Sequence, residues 1–223
     1  VGSPSGITPS FSVGNESAVG AANGQIDLSV SGGVPCIVTD SLTSDNSGGG
    51  TNNASNGVHF DIINTSGSPI TITGFGQGNG YGTAGYGGVK VMNIWTMPGQ
   101  YDQTTTVGWT QVATSVSTTI PLTVGGYGPA IPMTAVVIPA GATQGFYVGT
   151  PTGSVSYMSA SAFPIHTTYM SDANIAITAG HGGLFGSGSF SPRAPFLRVH
   201  YGDPAASAYT YAWSTGDTTE DIS

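Results

Sequence analysis

Residue types that commonly perform catalysis are scattered in this sequence. The four histidines are far apart, and none belongs to the His-Glu-x-x-His motif by which many proteases bind zinc. No Gly-x-Ser-x-Gly or Ser-x-x-Lys motif marks a nucleophilic serine, and the single cysteine, Cys36, has no histidine near it in sequence. The sequence therefore predicts a protein that is not an enzyme.

Two pairs of polar residues have the spacing that places both side chains on one face of a β-strand. His59 and Asp61 alternate with apolar residues in the stretch 58–62, and Arg198 and His200 repeat this spacing near the other end of the chain. Such pairs occur on any strand with one solvated face. We interpret both pairs as solvent-facing, with the apolar residues between them turned toward the core.

Oxygen ligands for a hard cation are concentrated in Ser44–Asn56 (SDNSGGGTNNASN). Calcium takes carboxylate and carbonyl oxygens from loops, and Asp45 and Asn46 are the candidate ligands. The segment lacks an Asp-x-Asp-x-Asp pattern and is equally natural as a flexible connection between strands. The prediction is that the protein has no cofactor, with calcium as the open alternative.

Aromatic residues suggest where a partner would bind. The segment Gly74–Gly88 (GFGQGNGYGTAGYGG) places Phe75, Tyr81 and Tyr86 among eight glycines. One interpretation is a long hairpin loop. The other is a contact surface for a sugar or a neighbouring subunit, because tyrosine offers rigid amphipathic area and glycine allows close approach.

Two tryptophans lie in alternating stretches that are typical of strands. Trp95 and Trp109 are each flanked by residues that alternate in polarity. We expect both in the core rather than on a surface that binds sugar, because a half-buried strand turns its largest apolar groups inward.

Charge and hydropathy exclude several classes of partner. Only 6% of residues are charged, the net charge is −8, and Lys90 is the single lysine. The chain has no basic stripe that could neutralise phosphates, so nucleic acid and anionic membrane surfaces are not expected partners. No apolar run approaches the ~18 residues needed to span a bilayer.

Potential glycosylation sites favour an extracellular location. Asn53 and Asn64 each begin an Asn-x-Ser sequon. Ser41 lies in Asp-Ser-Leu, which is similar to the O-glycosylation site of some bacterial envelope proteins. In so Ser/Thr-rich a chain, chance is the alternative explanation for each match.

Strand patterns extend along the whole chain. Gly and Pro interrupt every candidate helix, and short alternating stretches separated by turn residues are typical of a sandwich or jelly roll. The predicted class is all-β, with a jelly-roll-like β-sandwich. The predicted strands are Ile26–Val30, Val58–Ile62, Ile70–Thr73, Val89–Thr96, Trp109–Val116, Thr119–Val124, Met133–Ile138, Gly145–Thr150, Val155–Met158, Asn174–Thr178, Phe196–Tyr201 and Tyr209–Trp213.

The two ends of the chain resemble one repeat that has been split. Ser10–Gly33 (SFSVGNESAVGAANGQIDLSVSGG) is similar to the opening of the repeats in giant SprB-type gliding-motility adhesins, and Ala208–Ser223 (AYTYAWSTGDTTEDIS) is similar to the next segment of those repeats. The resemblance implies a partial Ig-like repeat made of 1–33 and 205–223, with Trp213 in its core. A β-sandwich module, 34–204, is then inserted in a loop of the repeat, as exposed loops tolerate.

This resemblance implies an adhesive role at the cell surface. The expected function is an extracellular structural or adhesive protein, secreted by a bacterium, that displays an interaction module. The alternative is a carbohydrate-binding module that uses exposed Tyr or Trp. The expected partners are neighbouring subunits or repeats, joined by strand addition, and a surface polysaccharide. We expect the isolated chain not to be a stable monomer, because the repeat lacks its closing strands.

Overall fold

A computed structural model describes residues 7–15, 17–19, 25–32, 39–80 and 86–202. The described residues form β-strands and contain no α-helix, and one 3-10 turn spans Asn46–Gly48. The all-β prediction is confirmed. The strands are β1 (Ile7–Gly14), β2 (Gln25–Gly32), β3 (Thr39–Ser44), β4 (Thr51–Ser55), β5 (Gly57–Asn64), β6 (Ile70–Gln77), β7 (Gly88–Pro98), β8 (Thr110–Ile120), β9 (Ile131–Ile138), β10 (Thr143–Gly149), β11 (Val155–Ser159), β12 (Thr168–Ser171), β13 (Ile175–Thr178), β14 (Gly180–Leu184), β15 (Ser187–Pro195) and β16 (Leu197–Gly202).

The chain divides into two compact units, one of residues 1–37 with 205–223 and the other of residues 38–204. In the first unit, β1 and β2 pair antiparallel, with Ile7 opposite Gly32. The predicted strand Tyr209–Trp213 lies outside the described residues. The partial Ig-like repeat made of 1–33 and 205–223 therefore stays a prediction.

The unit 38–204 contains two antiparallel sheets. The larger has the strand order β4-β11-β15-β14-β5-β10-β7-β8, and β12 joins it through β13, which pairs with β5. The smaller has the order β3-β16-β6-β9. Strand β5 has β10 on one side, and on the other side β14 and β13 each pair with a part of it.

The two sheets of this unit enclose a core of aliphatic and aromatic side chains. Phe60 of β5 and Phe146 of β10 come from the larger sheet, and Phe75 of β6 comes from the smaller one. The ring of Phe75 meets both others edge to face, with centroids 5.9 Å from Phe60 and 5.2 Å from Phe146. Phe75 is fully buried. Its prediction as a partner-contact residue is therefore wrong.

Both segments predicted as Gly-rich loops contain strand. Thr51–Ser55 forms β4, an edge strand whose polar sequence has no apolar alternation to reveal it. The first four residues of Gly74–Gly88 belong to β6. A side chain at Gly76 would bring its Cβ within 2.7 Å of the carbonyl oxygen of Gly128. Glycine there marks a close approach of backbone within a sheet rather than a loop.

The predicted strands Trp109–Val116 and Thr119–Val124 are in fact one strand, β8. A bulge interrupts its pairing with β7 near Ser115, whose backbone φ is 51°. The side chain of Asn93 stabilises this bulge by accepting a hydrogen bond from the Ser115 N–H at 2.7 Å. Residues 121–124 come after β8 as a turn.

The first and last strands of the unit 38–204 are neighbours. β3 pairs antiparallel with β16, and Thr39 lies opposite Gly202. The chain therefore begins and ends this unit at nearly the same place. An insertion into a loop requires such an arrangement, but the insertion itself stays a prediction.

Candidate functional site

The predicted contact and metal residues do not form a site together. Tyr81 lies outside the described residues, and Tyr86 is half-buried beside the start of β7. Asp45 uses its Oδ1 to accept the Ser47 N–H at 2.8 Å and so caps the 3-10 turn. Asn46 donates from Nδ2 to the side chain of Asn52. These contacts shape the loop and give the calcium prediction no support.

The predicted glycosylation sites differ in accessibility. Ser41 is exposed on β3. Asn53 is half-buried and donates from Nδ2 to Ser159 Oγ at 3.0 Å. Asn64 is fully buried, and its Nδ2 donates to the carbonyl oxygens of Ser68 and Ile138 at 2.8 and 2.9 Å. Glycosylation of Asn64 is incompatible with this fold, because its amide nitrogen is enclosed and both its hydrogens are used.

The solvent-facing interpretation of His59 and Asp61 is wrong. Both are fully buried, as are Val58, Phe60 and Ile62 between and beside them. Strand β5 is covered on both faces, because the smaller sheet packs on one face through the core and the segment after β7 lies against the other, with the Tyr101 N–H bonded to Asp61. The pair points into a polar cluster that the sequence spacing did not reveal.

Asp61 organises this polar cluster. Its Oδ1 accepts the backbone N–H of Tyr101 at 2.8 Å, and its Oδ2 lies 2.7 Å from Nδ1 of His166. Thr178 donates its hydroxyl to Oδ2 at 3.5 Å and receives the Asp61 N–H at 2.9 Å. Burial raises the pKa of Asp61, against the opposing effect of the hydrogen bonds from His166 and Tyr101. An ionised Asp61 can only accept, so Nδ1 of His166 is then the donor.

His166 is held in an uncommon backbone conformation, with φ of 62°. Its N–H bonds to the carbonyl oxygen of Ala179 at 2.8 Å, and its ring packs against Tyr101 with centroids 4.5 Å apart. A non-glycine residue rarely adopts a positive φ, and such strain persists where the surroundings fix it. The hydrogen bond to Asp61 is one of the contacts that fix it here.

Tyr101 links Asp61 to a third histidine. Its hydroxyl lies 2.8 Å from Nδ1 of His181, and burial, with the charge of Asp61 as a second cause, raises its pKa so that it stays protonated. Burial also lowers the pKa of His181. Three of the four histidines thus converge. Within the described ranges, however, no three His, Cys, Asp or Glu side chains are placed to hold a metal ion.

His59 faces a cluster of aromatic rings. Its ring centroid lies 4.5 Å from that of Tyr147, 5.8 Å from that of Trp109 and 6.4 Å from that of Phe185, to which it is nearly parallel. Its Nδ1 lies 3.4 Å from the carbonyl oxygen of His181, which can only accept. Nδ1 therefore carries the proton in the neutral ring, and the buried Nε2 has no hydrogen-bond partner among the described residues.

The other side of this aromatic cluster opens into a cleft of ≈270 Å³. Its lining includes the rings of Trp95, Tyr147 and Phe185. Trp95 and Phe185 stack with centroids 4.2 Å apart and planes inclined by 16°, and both are half-buried. The remaining lining residues are Asn93, Gly149, Thr150, Pro151 and Leu184. None of the lining residues carries a charge.

The expectation that Trp95 and Trp109 are core residues is wrong, because both are only half-buried.

Asn93 supplies the cleft with an oriented hydrogen-bond donor. Its Oδ1 accepts the Ser115 N–H at 2.7 Å and lies 3.4 Å from Nε2 of Gln111. Its Nδ2 makes no hydrogen bond to another described residue. The bulge in β8 therefore fixes the amide, and the group left for a ligand is the donor N–H.

Local backbone geometry positions the rings of Phe185 and Tyr147. Phe185 and Gly186 form the two-residue turn between β14 and β15, with Leu184 opposite Ser187 and Gly186 at φ of 69°. Tyr147 is held through its hydroxyl, which donates to the carbonyl oxygen of Gly183 at 3.1 Å. Glycine in a two-residue hairpin turn supplies the positive φ that such turns require.

Comparison with known proteins does not assign this chain to a family. No family model and no curated protein sequence matches the chain. A solved structure of the infectious bursal disease virus Gt strain aligns over 90% of this chain and 58% of that chain, at 14% identity and a TM-score of 0.18. This chain therefore covers less than two thirds of the viral chain. A TM-score this low does not establish a shared fold. The resemblance to SprB-type repeats stays a prediction.

Within the described parts of the chain, no helix is long and apolar enough to cross a bilayer.

The sequence carried only indirect signals of this site. The stretch Gly180–Gly183 (GHGG) is unusual for a strand, and a Cβ at Gly182 would come within 2.7 Å of the Tyr157 ring. A histidine flanked by glycines whose backbone packs against a neighbouring ring is a sign of a tightly packed site. The gathering of Trp95, Tyr147 and Phe185 had no such signal, because they lie far apart in sequence.

Proposed function

We propose that the unit 38–204 is a carbohydrate-binding module of an extracellular adhesive protein and that its cleft holds a sugar ring against Trp95 and Phe185. The observation that carries this proposal is the cleft itself, in which aromatic rings lie beside the donor N–H of Asn93. A pyranose ring has apolar C–H faces and hydroxyl groups around its rim. An aromatic wall with one fixed donor suits that combination.

The size and charge of the cleft narrow the ligand class. Its ≈270 Å³ is slightly below the range usual for drug-sized ligands, so one sugar ring is a suitable occupant. Its lining is uncharged, so it offers no charged partner for the carboxylate of a uronic acid, and burying an unpaired charge is unfavourable. The expected ligand is a neutral sugar residue, either a chain terminus or a single unit of a polysaccharide.

The adhesive role and the extracellular location belong to the same proposal. They rest on the terminal segments that resemble adhesin repeats and on the scarcity of charge, and sugar binding would give such an adhesin a means of holding a surface polysaccharide. The unit boundary at residues 37–38 and 204–205 supports treating 38–204 as the ligand-binding part.

A glycan array followed by calorimetry tests the proposal. The 223-residue chain should bind neutral glycans, and Trp95→Ala should weaken binding by at least about tenfold, which corresponds to about 1.4 kcal/mol. Phe190→Ala is the matched control, because Phe190 is exposed and does not line the cleft. Equal binding by wild type and Trp95→Ala, or no binding to any neutral glycan, would refute sugar binding at this cleft.

A further inference from the structure

His59 lies directly behind the ligand-binding cleft. Its ring contacts Tyr147 and Phe185, which line the cleft, and Trp109, which does not. His59 is fully buried, whereas Phe185 is half-buried. A positive charge on His59 would therefore act most strongly on the rings that separate it from the cleft.

The groups that face His59 compensate a positive charge only in part: the His181 carbonyl, the charge of Asp102 and the faces of the aromatic rings favour protonation, but burial outweighs them. From β14 comes His181, whose carbonyl accepts at Nδ1 and whose ring disfavours protonation electrostatically. The segment after β7 contributes Tyr101, Trp109 and Asp102, and β10 contributes Tyr147.

The acids near His59 are already engaged or exposed. Asp61, two residues along β5, bonds to His166 and Tyr101, while Asp102 is exposed and bonds to Thr104. From β15, Gly188 approaches His59 without any ionisable side chain. Nε2, where the added proton would sit, has no hydrogen-bond partner among the described residues.

Burial accordingly keeps His59 neutral at ordinary pH. Loss of hydration is the largest cause, and it lowers the pKa of His59 from 6.5 to about 4 despite the hydrogen bond to His181. A proton added below that pH would sit among aromatic rings with no acceptor. Water brought to the ring would remove this penalty.

The Phe185 turn covers His59 and is itself partly exposed. Phe185 and Gly186 connect β14 and β15 at a hairpin tip, and Leu184 beside them is exposed. Tyr147 is in contrast fixed in β10, between β5 and β7, with its hydroxyl bonded to Gly183. Displacing the turn would hydrate His59 and would also remove Phe185 from its stack on Trp95.

We propose that protonation of His59 releases the Phe185 turn and dismantles the cleft, so that acid discharges the bound sugar. The identification of the ligand as a sugar rests on the proposed function, but the movement of the Phe185 turn does not. The device has two states: a closed turn over a neutral imidazole, and an open turn over a hydrated imidazolium. The rest of the sandwich core is the same in both.

Nuclear magnetic resonance of the 223-residue chain without ligand tests the movement. Between pH 7 and pH 3.5, the nuclear Overhauser contacts between the Phe185 and Trp95 rings should be lost with the same midpoint as the ring signals of His59. The contacts between Phe60 and Phe146, in the core, should persist. In His59→Phe, the Phe185–Trp95 contacts should remain across the whole range.

Each other outcome overturns the switch. Phe185–Trp95 contacts that survive protonation of His59 exclude it, as does simultaneous loss of the Phe60–Phe146 contacts, which means global unfolding. If His59→Phe does not fold, the coincidence of midpoints in wild type decides alone. Binding of a neutral glycan at pH 7 is measured separately, so failure of the sugar proposal and failure of the switch are distinguishable.

Discussion

Replacing His59 should reduce the loss of unfolding free energy that the protein shows at acid pH. The pKa of His59 falls from 6.5 to about 4 on folding, and each unit corresponds to about 1.4 kcal/mol, so a protonated His59 costs the folded state about 3 kcal/mol. Because the folded pKa is lowered, this loss is absent above pH 6.5, grows as the pH falls toward 4, and is constant below. The figure is an upper bound, since opening of the Phe185 turn hydrates the ring.

Urea unfolding at pH 7 and pH 4 measures this loss. Wild type should lose up to about 3 kcal/mol more than His59→Phe between the two pH values. The raised pKa of Asp61 acts in the opposite direction, because its protonation favours the folded state as pH falls. Asp61 and His181 are present in both proteins, so their contributions cancel in the comparison, apart from the direct interaction of His181 with His59. A difference below about 1 kcal/mol would contradict the assignment of His59 as a buried neutral ring.

The packing predicts the effects of three further substitutions. Gly149→Ala places a Cβ 2.5 Å from the Tyr147 hydroxyl and should destabilise by about 1–3 kcal/mol in urea unfolding, whereas Gly67→Ala, with open space around it, should be neutral. Asn64→Ala removes two donated and two accepted hydrogen bonds and should cost about 1–3 kcal/mol of unfolding free energy. In the unsubstituted chain, intact-mass measurement should show no glycan at Asn64. Phe60→Ala should cost about 3–5 kcal/mol, because its ring is fully buried between two others. A Gly67→Ala loss equal to that of Gly149→Ala, a glycan on Asn64, or a Phe60→Ala cost below about 1 kcal/mol would contradict these accounts.

The all-β class was predictable because alternation of apolar residues survives in most strands. Stretches such as 58–62 and 70–73 predicted β5 and β6, since side chains alternate across a strand whatever its neighbours are. Strand β4 (TNNAS) was not predictable. As a polar edge strand it is stabilised by pairing with β11 and carries no apolar periodicity.

The candidate site was largely beyond sequence reasoning. A strand with alternating polarity normally has a solvated face, but here the smaller sheet covers one face of β5 and the segment after β7 covers the other. His59 and Asp61 became buried for that reason. Trp95 and Phe185 are 90 residues apart, and β5 and β10 separate their strands in the larger sheet, so their stacking depends on tertiary packing of the β14–β15 hairpin tip, which alternation does not encode.

The pairing of Thr39 with Gly202 decides how the unit 38–204 responds to force. Both residues lie at the same end of the β3–β16 ladder, so tension applied through them opens the hydrogen bonds one after another instead of shearing them together. The edge strand β3 would peel away first, at low force. The unit would then release about 160 residues, on the order of 500 Å of extended chain. A polypeptide that contains this unit would therefore extend under tension as the unit unfolds and shorten again when it refolds.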